Sequence, residues 1–490
     1  MRENTTEFGA FGHEVDDFVA ANDLPSPEDH EPAHRARVRL FVAFLVFGLL
    51  NNVLYVIILS AALDLVPATT PKGIVAFFNI FPALLAKVFW PLISVGQIQY
   101  RRRVGFCTAI SWSGIVIIAL SPSVHARLFG ISLASFSSGL GELTFLQLTT
   151  TLPTRAASRT ALGAWASGTG AAGVAGASIW WLLRGLGVKV GLGLSSFLPL
   201  LFPFTYYYVL PPWDALHTTG PAPYQALSTG EDEASTSSDI ERAPPSENDA
   251  LAKPGHPEVY LTPREKLDLL KPLVVRYMLP LCLVYIEEYV INSGIAPTLV
   301  FPIPTSGPWS WLFKNPRDYY PFWSLTYQSF VFLSRSSLSL GLPPIPRRYL
   351  PVPTITQFFV LVLLFLQARR FIFSTPEYTP PFPEPATGVD RAITFVFLLT
   401  CLEGLCGGSA YVNTFYHVGH EGDSGEEVEV EGGANTPEEV KRKMEKEFRI
   451  GATGAADSCG ILLASLISMP VEISLCNAQV AAGRPTCREL

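Results

Sequence analysis

Leu133-Ala-Ser-Phe-Ser-Ser-Gly-Leu-Gly-Glu142-Leu-Thr-Phe-Leu146 sets one carboxylate inside an apolar stretch rich in small residues. A charge at the bilayer centre costs roughly 2.5–3.5 kcal/mol on insertion scales, so it marks a functional site by default. The flanking glycines and serines let a neighbouring helix come close, so the carboxylate can face protein or a wet cavity instead of lipid. On a helix, Ser135, Ser138, Glu142 and Thr149 share one face. The functional reading is a proton- or cation-responsive carboxylate lining a central cavity. The competing reading is a structural glutamate that holds helices together.

Composition places that stretch in a membrane protein. Of 490 residues, 49% are apolar and 16% charged, and mean hydropathy is +0.30. A soluble chain of this size carries more charge. Eleven apolar segments are long enough to cross a bilayer as helices, near 38–62, 73–96, 104–122, 128–150, 161–183, 186–212, 272–300, 320–342, 354–373, 391–417 and 450–475. The fold class is all-α and integral to the membrane. Residues 1–36 read as a disordered acidic cytosolic tail: the first 33 residues hold nine acidic residues, one arginine and no signal-peptide core. Residues 37–212 form a six-helix half, and the polar 213–271 a flexible cytosolic connector. Residues 272–476 form a five-helix half with a cytosolic insert at 419–449, and 477–490 a tail. Within the insert, 436–449 carry a helix-start signature and suit a helix along the membrane surface.

Short-loop charges set the orientation. Arg35, Arg37, Arg39, Arg101–Arg103, Arg155, Arg159, Arg264, Lys266, Arg347, Arg348 and Lys441–Lys443 all fall on one side if the N-terminus is cytosolic. Arg127, Arg369 and Arg370 break the pattern. The C-terminus is then lumenal.

The two halves echo one another in order. Asn51-Asn52-Val-Leu-Tyr55 in span one matches Glu287-Glu288-Tyr-Val-Ile-Asn292 in span seven. Asn79 and Lys87 in span two match Tyr327 and Arg335 in span eight. Glu142 in span four matches Glu403 in span ten, which shares a face with Gly407, Tyr411 and Thr414. Gly168-Thr-Gly-Ala-Ala-Gly173 in span five matches Ala452-Thr-Gly-Ala-Ala-Asp457 in span eleven. This is the register of a six-plus-six transporter missing its last helix.

The candidate substrate- or proton-binding residues are Glu142, Glu403, Glu287, Glu288, Lys87, Arg335, Asn51, Asn52, Tyr55, Tyr411 and Asn413. Glu287 and Glu288 point about 100° apart on a helix, so only one faces a given site. Lys87 and Arg335 read either as an anion clamp or as cations snorkelling to the surface. Asn51, Asn52 and Tyr55 supply neutral hydrogen bonds to a substrate or between helices. Asp457, near the start of span eleven, reads as a helix cap or a relay residue, with capping the safer reading. Gly168-x-Gly170-x-x-Gly173 matches a dinucleotide fingerprint, but no strand precedes it, so helix packing explains it. The seven cysteines show no paired spacing, which supports neither a disulfide framework nor a zinc site. No cofactor or metal is expected. Glu265-Lys-Leu-Asp-Leu269-Leu270 resembles an acidic dileucine sorting signal, with an amphipathic lead-in to span seven as the alternative. Cys487-Arg-Glu-Leu490 is formally a prenylation box, but its middle residues are not aliphatic and its side is lumenal. The sequon at Asn4 lies in the cytosolic tail, so no N-glycan is expected there.

Several strings together resemble the battenin family. They are Gly48-Leu-Leu-Asn51-Asn52-x-x-Tyr55-Val-Ile-x-Leu-Ser-Ala-Ala62, Ser137-Ser-Gly-Leu-Gly-Glu142-x-Thr-Phe-Leu146, Ser167-Gly-Thr-Gly170, Glu288-Tyr-Val-Ile-Asn292, Ser334-Arg335-Ser-Ser337 and Glu403-Gly-Leu-x-Gly-Gly-x-Ala-Tyr411-Val-Asn413-Thr-Phe. The Pro-rich stretches at 301–321 and 343–353 and the acidic insert depart from that pattern. The resemblance implies a vacuolar or lysosomal membrane protein with a major-facilitator-like two-half fold. It further implies a part in vacuolar pH homeostasis, basic amino-acid (arginine) handling or glycerophosphodiester export.

The function expected is secondary transport by alternating access, linked to protons. Glu142, Glu403 and one of Glu287 and Glu288 would surround a midplane cavity. A carboxylate buried in apolar surroundings favours its neutral form, so it can load a proton from an acidic lumen. If Lys87 and Arg335 also line the cavity, an anionic phosphodiester fits; if only the carboxylates do, arginine or lysine fits better. The partners are then a small molecule, protons and the bilayer, with trafficking proteins at the cytosolic loops and no nucleic acid. The rival is a non-transporting scaffold that regulates vacuolar pH through 213–271 and 419–449. An enzyme lacks any metal or nucleophile constellation.

Overall fold

The computed structural model describes residues 27–61, 65, 73–94, 97–216, 260–304, 307–373, 387–421, 437–484 and 487. The expected acidic tail up to residue 26, the connector from 217 to 259 and the insert from 422 to 436 lie outside them.

Each of the eleven expected spans is helical. In order they are α1 (Pro27–Ser60), α2 (Gly73–Ile93), α3 (Tyr100–Leu120), α4 (Val124–Thr149), α5 (Arg155–Leu183), α6 (Gly187–Val209), α7 (Pro263–Thr298), α8 (Tyr319–Arg335), α9 (Pro351–Arg370) and α10 (Thr387–Gly419). An amphipathic helix, α11 (Pro437–Thr453), then leads into the last span, α12 (Ala455–Ala481). No twelfth spanning helix follows among the described residues. Two helices, α1 and α7, begin inside segments read as loops, and α11 is the helix expected at the end of the insert. α1 starts at Pro27, ahead of the expected tail boundary. α7 starts in the connector, where Thr262 and Glu265 form a capping box and Pro263 takes the first helical position. α11 fills the end of the insert, burying Met444 and Phe448 against Leu261, Leu269 and Leu270. The dileucine is thus half-buried packing surface.

Seven of the helices are long and apolar enough to cross a bilayer by length and composition alone. The four spans outside that set, α2, α4, α5 and α8, give polar or small residues to the interior.

The two halves pair their helices in one pattern. α1 packs on α5 as α7 packs on α12, and α2 on α4 as α8 on α10. Across the halves, α2 meets α12 and α5 meets α8. Small residues permit this closeness. A Cβ on Gly48 would sit 2.3 Å from the Trp165 carbonyl oxygen, and one on Gly168 2.1 Å from that of Leu45. In the other half, a Cβ on Gly460 would sit 2.5 Å from the Cys282 carbonyl oxygen.

The α2–α4 contact shows how sequence and packing interlock. Pro82 interrupts α2, and Ser135 of α4 takes over a rung of its hydrogen-bond ladder. The Ala83 N–H donates to Ser135 Oγ (3.1 Å), which donates in turn to the Asn79 carbonyl (2.9 Å). This inserted hydroxyl fixes α2 just above Lys87.

One expectation about cysteines fails. Cys476 and Cys487 form a disulfide at the end of α12. They are eleven residues apart, and only the fold of the chain past Ala481 brings them together. In this form Cys487 has no thiol for prenylation.

Helix contact predicts the effect of substitution. Gly168→Val should destabilise the purified protein by about 1–3 kcal/mol, because the α1 backbone leaves no room. Gly105→Ala, which meets nothing within 4 Å, should be neutral or slightly stabilising. Thermal unfolding in one detergent checks both.

Candidate functional site

A cavity of about 580 Å³ lies between the halves. Its walls come from α1, α2, α4 and α5 of one half and α7, α8, α10 and α12 of the other. These are the spans that the internal echo pairs. Three of the spans, α3, α6 and α9, contribute nothing to it.

The cavity is closed at one end by charge. Lys87, 3% exposed, extends from α2 toward α12. Its ammonium lies 2.7 Å from Glu142 Oε2 and 3.0 Å from Asp457 Oδ1, and donates to Ser458 Oγ at 2.8 Å. One cation thus bridges a carboxylate of each half. Such a network in low dielectric holds only while every member is present, because a lost partner leaves an uncompensated charge. Tyr411 of α10 extends it: its hydroxyl donates to Glu142 Oε1 (3.3 Å) and accepts from Trp165 Nε1 (3.1 Å).

Arg335 stands on another wall. Its guanidinium donates to Thr169 Oγ1 (2.9 Å) and the Tyr285 hydroxyl (2.7 Å), and lies 4.3 Å from the centre of the Tyr411 ring. Its Nε has no hydrogen-bond partner. Arg335 makes no ion pair among the described residues. Neither Lys87 nor Arg335 snorkels; both turn inward.

Beyond the Lys87 bridge the cavity is sealed by α11. Glu447 accepts a hydrogen bond from the Tyr100 hydroxyl (2.6 Å), and its carbonyl accepts one from Gln147 Nε2 (2.9 Å). Lys266 donates to the carbonyls of Pro91, Leu92 and Ser94 at 3.0, 2.9 and 2.7 Å, satisfying the open end of α2. The other end of the cavity reaches Tyr320 and Pro321, in the first turn of α8, where Tyr320 is exposed.

Six of the eleven residues expected at the site line this cavity: Asn52, Tyr55, Lys87, Glu142, Arg335 and Tyr411. Five do not. Asn51 bonds Ser138 and joins α1 to α4, with Nδ2 3.1 Å from the Ser138 carbonyl. Asn413 accepts from the Ile345 N–H (2.7 Å) and ties down the loop after α8. Glu287, Glu288 and Glu403 are buried behind the wall. The expectation that Glu403 and one of Glu287 and Glu288 surround the cavity is therefore corrected. Gly139 and Gly404 do the same packing, against α2 and α8. Glu403 precedes Gly404 as Ser138 precedes Gly139. It therefore points at α7, toward Asn292, as Ser138 points at α1.

Asp457 is not the cap of α12, a place taken by Gly454; it is a partner of Lys87, 370 residues away in the chain. Its place in the echo, opposite Gly173, was the available signal. Tyr285, Tyr289, Asn292 and Gln328 also line the cavity; Asn292 stands in the internal echo, and the depth of the others within apolar spans was their signal.

The bridge predicts non-additive stability. Lys87→Gln should cost about 3–5 kcal/mol, since it strands two buried carboxylates. Adding Glu142→Gln should recover at least about 1 kcal/mol of that loss. Unfolding of the single and double variants in one detergent measures the coupling; additive losses would show that the contact contributes nothing.

Relatives match this chain along most of its length. A family model described as CLN3 protein matches residues 42–478. "Protein BTN1" of Cryptococcus neoformans var. neoformans serotype D is 61% identical over 97% of this chain and 99% of its own. The protein of that name in Mycosarcoma maydis is 43% identical over 92% and 89%, and Schizosaccharomyces pombe "Protein btn1" 35% identical over 91% and 96%. Among solved structures, the major facilitator superfamily transporter FucP in the outward conformation matches with a TM-score of 0.48 and 11% identity, covering 90% of this chain and 97% of that one. On the extent of the family match and the identity to its fungal relatives, the chain belongs to the CLN3 protein family.

Proposed function

We propose that this protein is a secondary transporter of the vacuolar membrane that moves a small anionic solute, of glycerophosphodiester type, by proton-linked alternating access. The observation that carries this reading is the state of the two cavity cations. Lys87 already has Glu142 and Asp457 as counter-ions, whereas Arg335 has hydroxyls and a ring but no carboxylate. A phosphodiester supplies the missing anion, and guanidinium–phosphate hydrogen bonds are strong and directional. Asn52, Asn292 and Gln328 offer hydrogen bonds to glycerol hydroxyls nearby. Arginine or lysine as substrate meets Arg335 as a like charge, and has to displace Lys87 to reach a carboxylate.

Proton linkage follows from the bridge. A proton on Glu142 or Asp457 removes one of the attractions that hold α2, α4 and α12 together. The α11 end of the cavity is then freer to part. Import or export of protons with solute connects such a carrier to vacuolar pH.

For orientation, we place the α11 end in the cytosol, where the short-loop arginines and lysines gather. The Cys476–Cys487 disulfide lies at the opposite end of α12 and suits an oxidising lumen. The cavity then opens to the lumen. A scaffold that only bound partners would gain nothing from four charged side chains between its halves.

The test is flux into liposomes that hold purified protein under an imposed pH gradient. A labelled glycerophosphodiester should cross saturably, and arginine should not. Arg335→Gln should lower that flux roughly tenfold or more, the value of one charged hydrogen bond, and Arg335→Lys should restore part of it. Glu142→Gln should remove the dependence on the pH gradient. Saturable arginine flux with no phosphodiester flux reverses the substrate assignment, and no saturable flux of either sinks the transporter reading.

A further inference from the structure

Two carboxyls that the cavity does not use are buried together in the C-terminal half. Glu288 of α7 and Glu403 of α10 are each 1% exposed. No lysine, arginine or histidine forms an ion pair with either among the described residues. Glu403 Oε1 accepts from Asn292 Nδ2 at 2.8 Å. Glu288 Oε1 accepts from the Tyr327 hydroxyl, and its Oε2 is buried with no hydrogen-bond partner. That bare oxygen faces Gly407, one helical turn beyond Glu403: a Cβ on Gly407 would come within 2.2 Å of it. Glycine at 407 is what lets the Glu288 carboxyl enter the α7–α10 interface.

Two adjacent carboxylates without counter-ions do not both stay charged in a dry interior. The groups that face the pair decide how many charges it holds. From α8 come Tyr327 and, at longer range, Arg335; from α10 comes Cys406. From α7 come Glu287, Tyr285 and Tyr289, and from α12 comes Asp457. Arg335 is the one cation among them, and it favours a single negative charge on the pair. Asp457 opposes a second.

We propose that Glu288 and Glu403 form a proton-binding pair that shares one proton, set behind the cavity wall and apart from the Lys87 bridge. Its two donors connect it to the cavity. Tyr327 and Asn292 each hold one carboxyl of the pair, and both line the cavity. A solute that draws on the Tyr327 hydroxyl or the Asn292 amide changes the hold on the proton. Charge on the pair in turn alters how those side chains meet the solute. This coupling rests on the transport reading above, whereas the proton-binding pair itself does not.

Difference infrared spectroscopy of the full-length protein in lipid nanodiscs, titrated with protons, tests the pair directly. The carboxylic-acid C=O band should persist above neutral pH, and should survive Glu142→Gln and Asp457→Asn. Glu288→Gln or Glu403→Gln should lower the midpoint at which it disappears by about one pH unit or more, because the repulsion within the pair is gone. The double substitution should abolish the band. Gly407→Ala keeps every carboxyl and should also displace the midpoint, so the proposal remains testable if the double variant fails to fold. A band absent above neutral pH, or one untouched by the double substitution and by Gly407→Ala, would overturn the proposal. Loss of the band with phosphodiester flux intact contradicts the pair alone. A band that behaves as described with no flux contradicts the transport reading alone.

Discussion

The contact between the two halves at the closed end of the cavity depends on one ammonium group. Lys87 leaves α2 of the first half and ends between Glu142 of that half and Asp457 of the other. Three charges at membrane depth are tolerable only together, since any one alone carries a large desolvation cost. The bridge therefore acts as a conditional lock. It is strong while both carboxylates are charged and weaker once either takes a proton. A transporter needs a contact between its halves with that property.

Close backbone contact makes the lock accurate. Ser135 replaces a broken rung beside Pro82, so the part of α2 that carries Lys87 has a defined direction. Gly139 brings α4 against Ala83, and places Glu142 one turn further along the same interface. Below, α11 and Lys266 close the end of α2. Arg335 is held on the opposite wall by Thr169 and Tyr285, leaving its charge unmatched. Under the proposed function, the separation of a matched cation from an unmatched one is what favours an anion.

Much of this was legible in the sequence. Apolar runs of bilayer length located all eleven spans, and small-residue strings marked the close contacts. The order of the internal echo matched the eight helices around the cavity. What failed was resolution finer than a helix. Glu142 and Glu403 look alike as letters in Gly-rich strings, yet aligned on the packing glycines Gly139 and Gly404, Glu403 takes the place of Ser138, one helical turn before that of Glu142. That offset sends Glu403 to Asn292, behind the wall. Asp457 near a helix start resembled a cap because its partner is on a helix remote in sequence. Cys476 and Cys487 had no signature, since the chain after α12 alone decides that they meet. Glu142 remained where its stretch first suggested, facing a cavity, but as the counter-ion of Lys87.

The central claim is that the two halves separate at the α11 end when the Lys87 bridge is released. Spin labels at the exposed positions Ala156, before α5 enters the membrane, and Arg348, between α8 and α9, report that gap by pulsed dipolar spectroscopy in nanodiscs. The account predicts two distances, with the longer one gaining population in Asp457→Asn and as pH falls. A single distance, unchanged by that substitution and by pH, would contradict it.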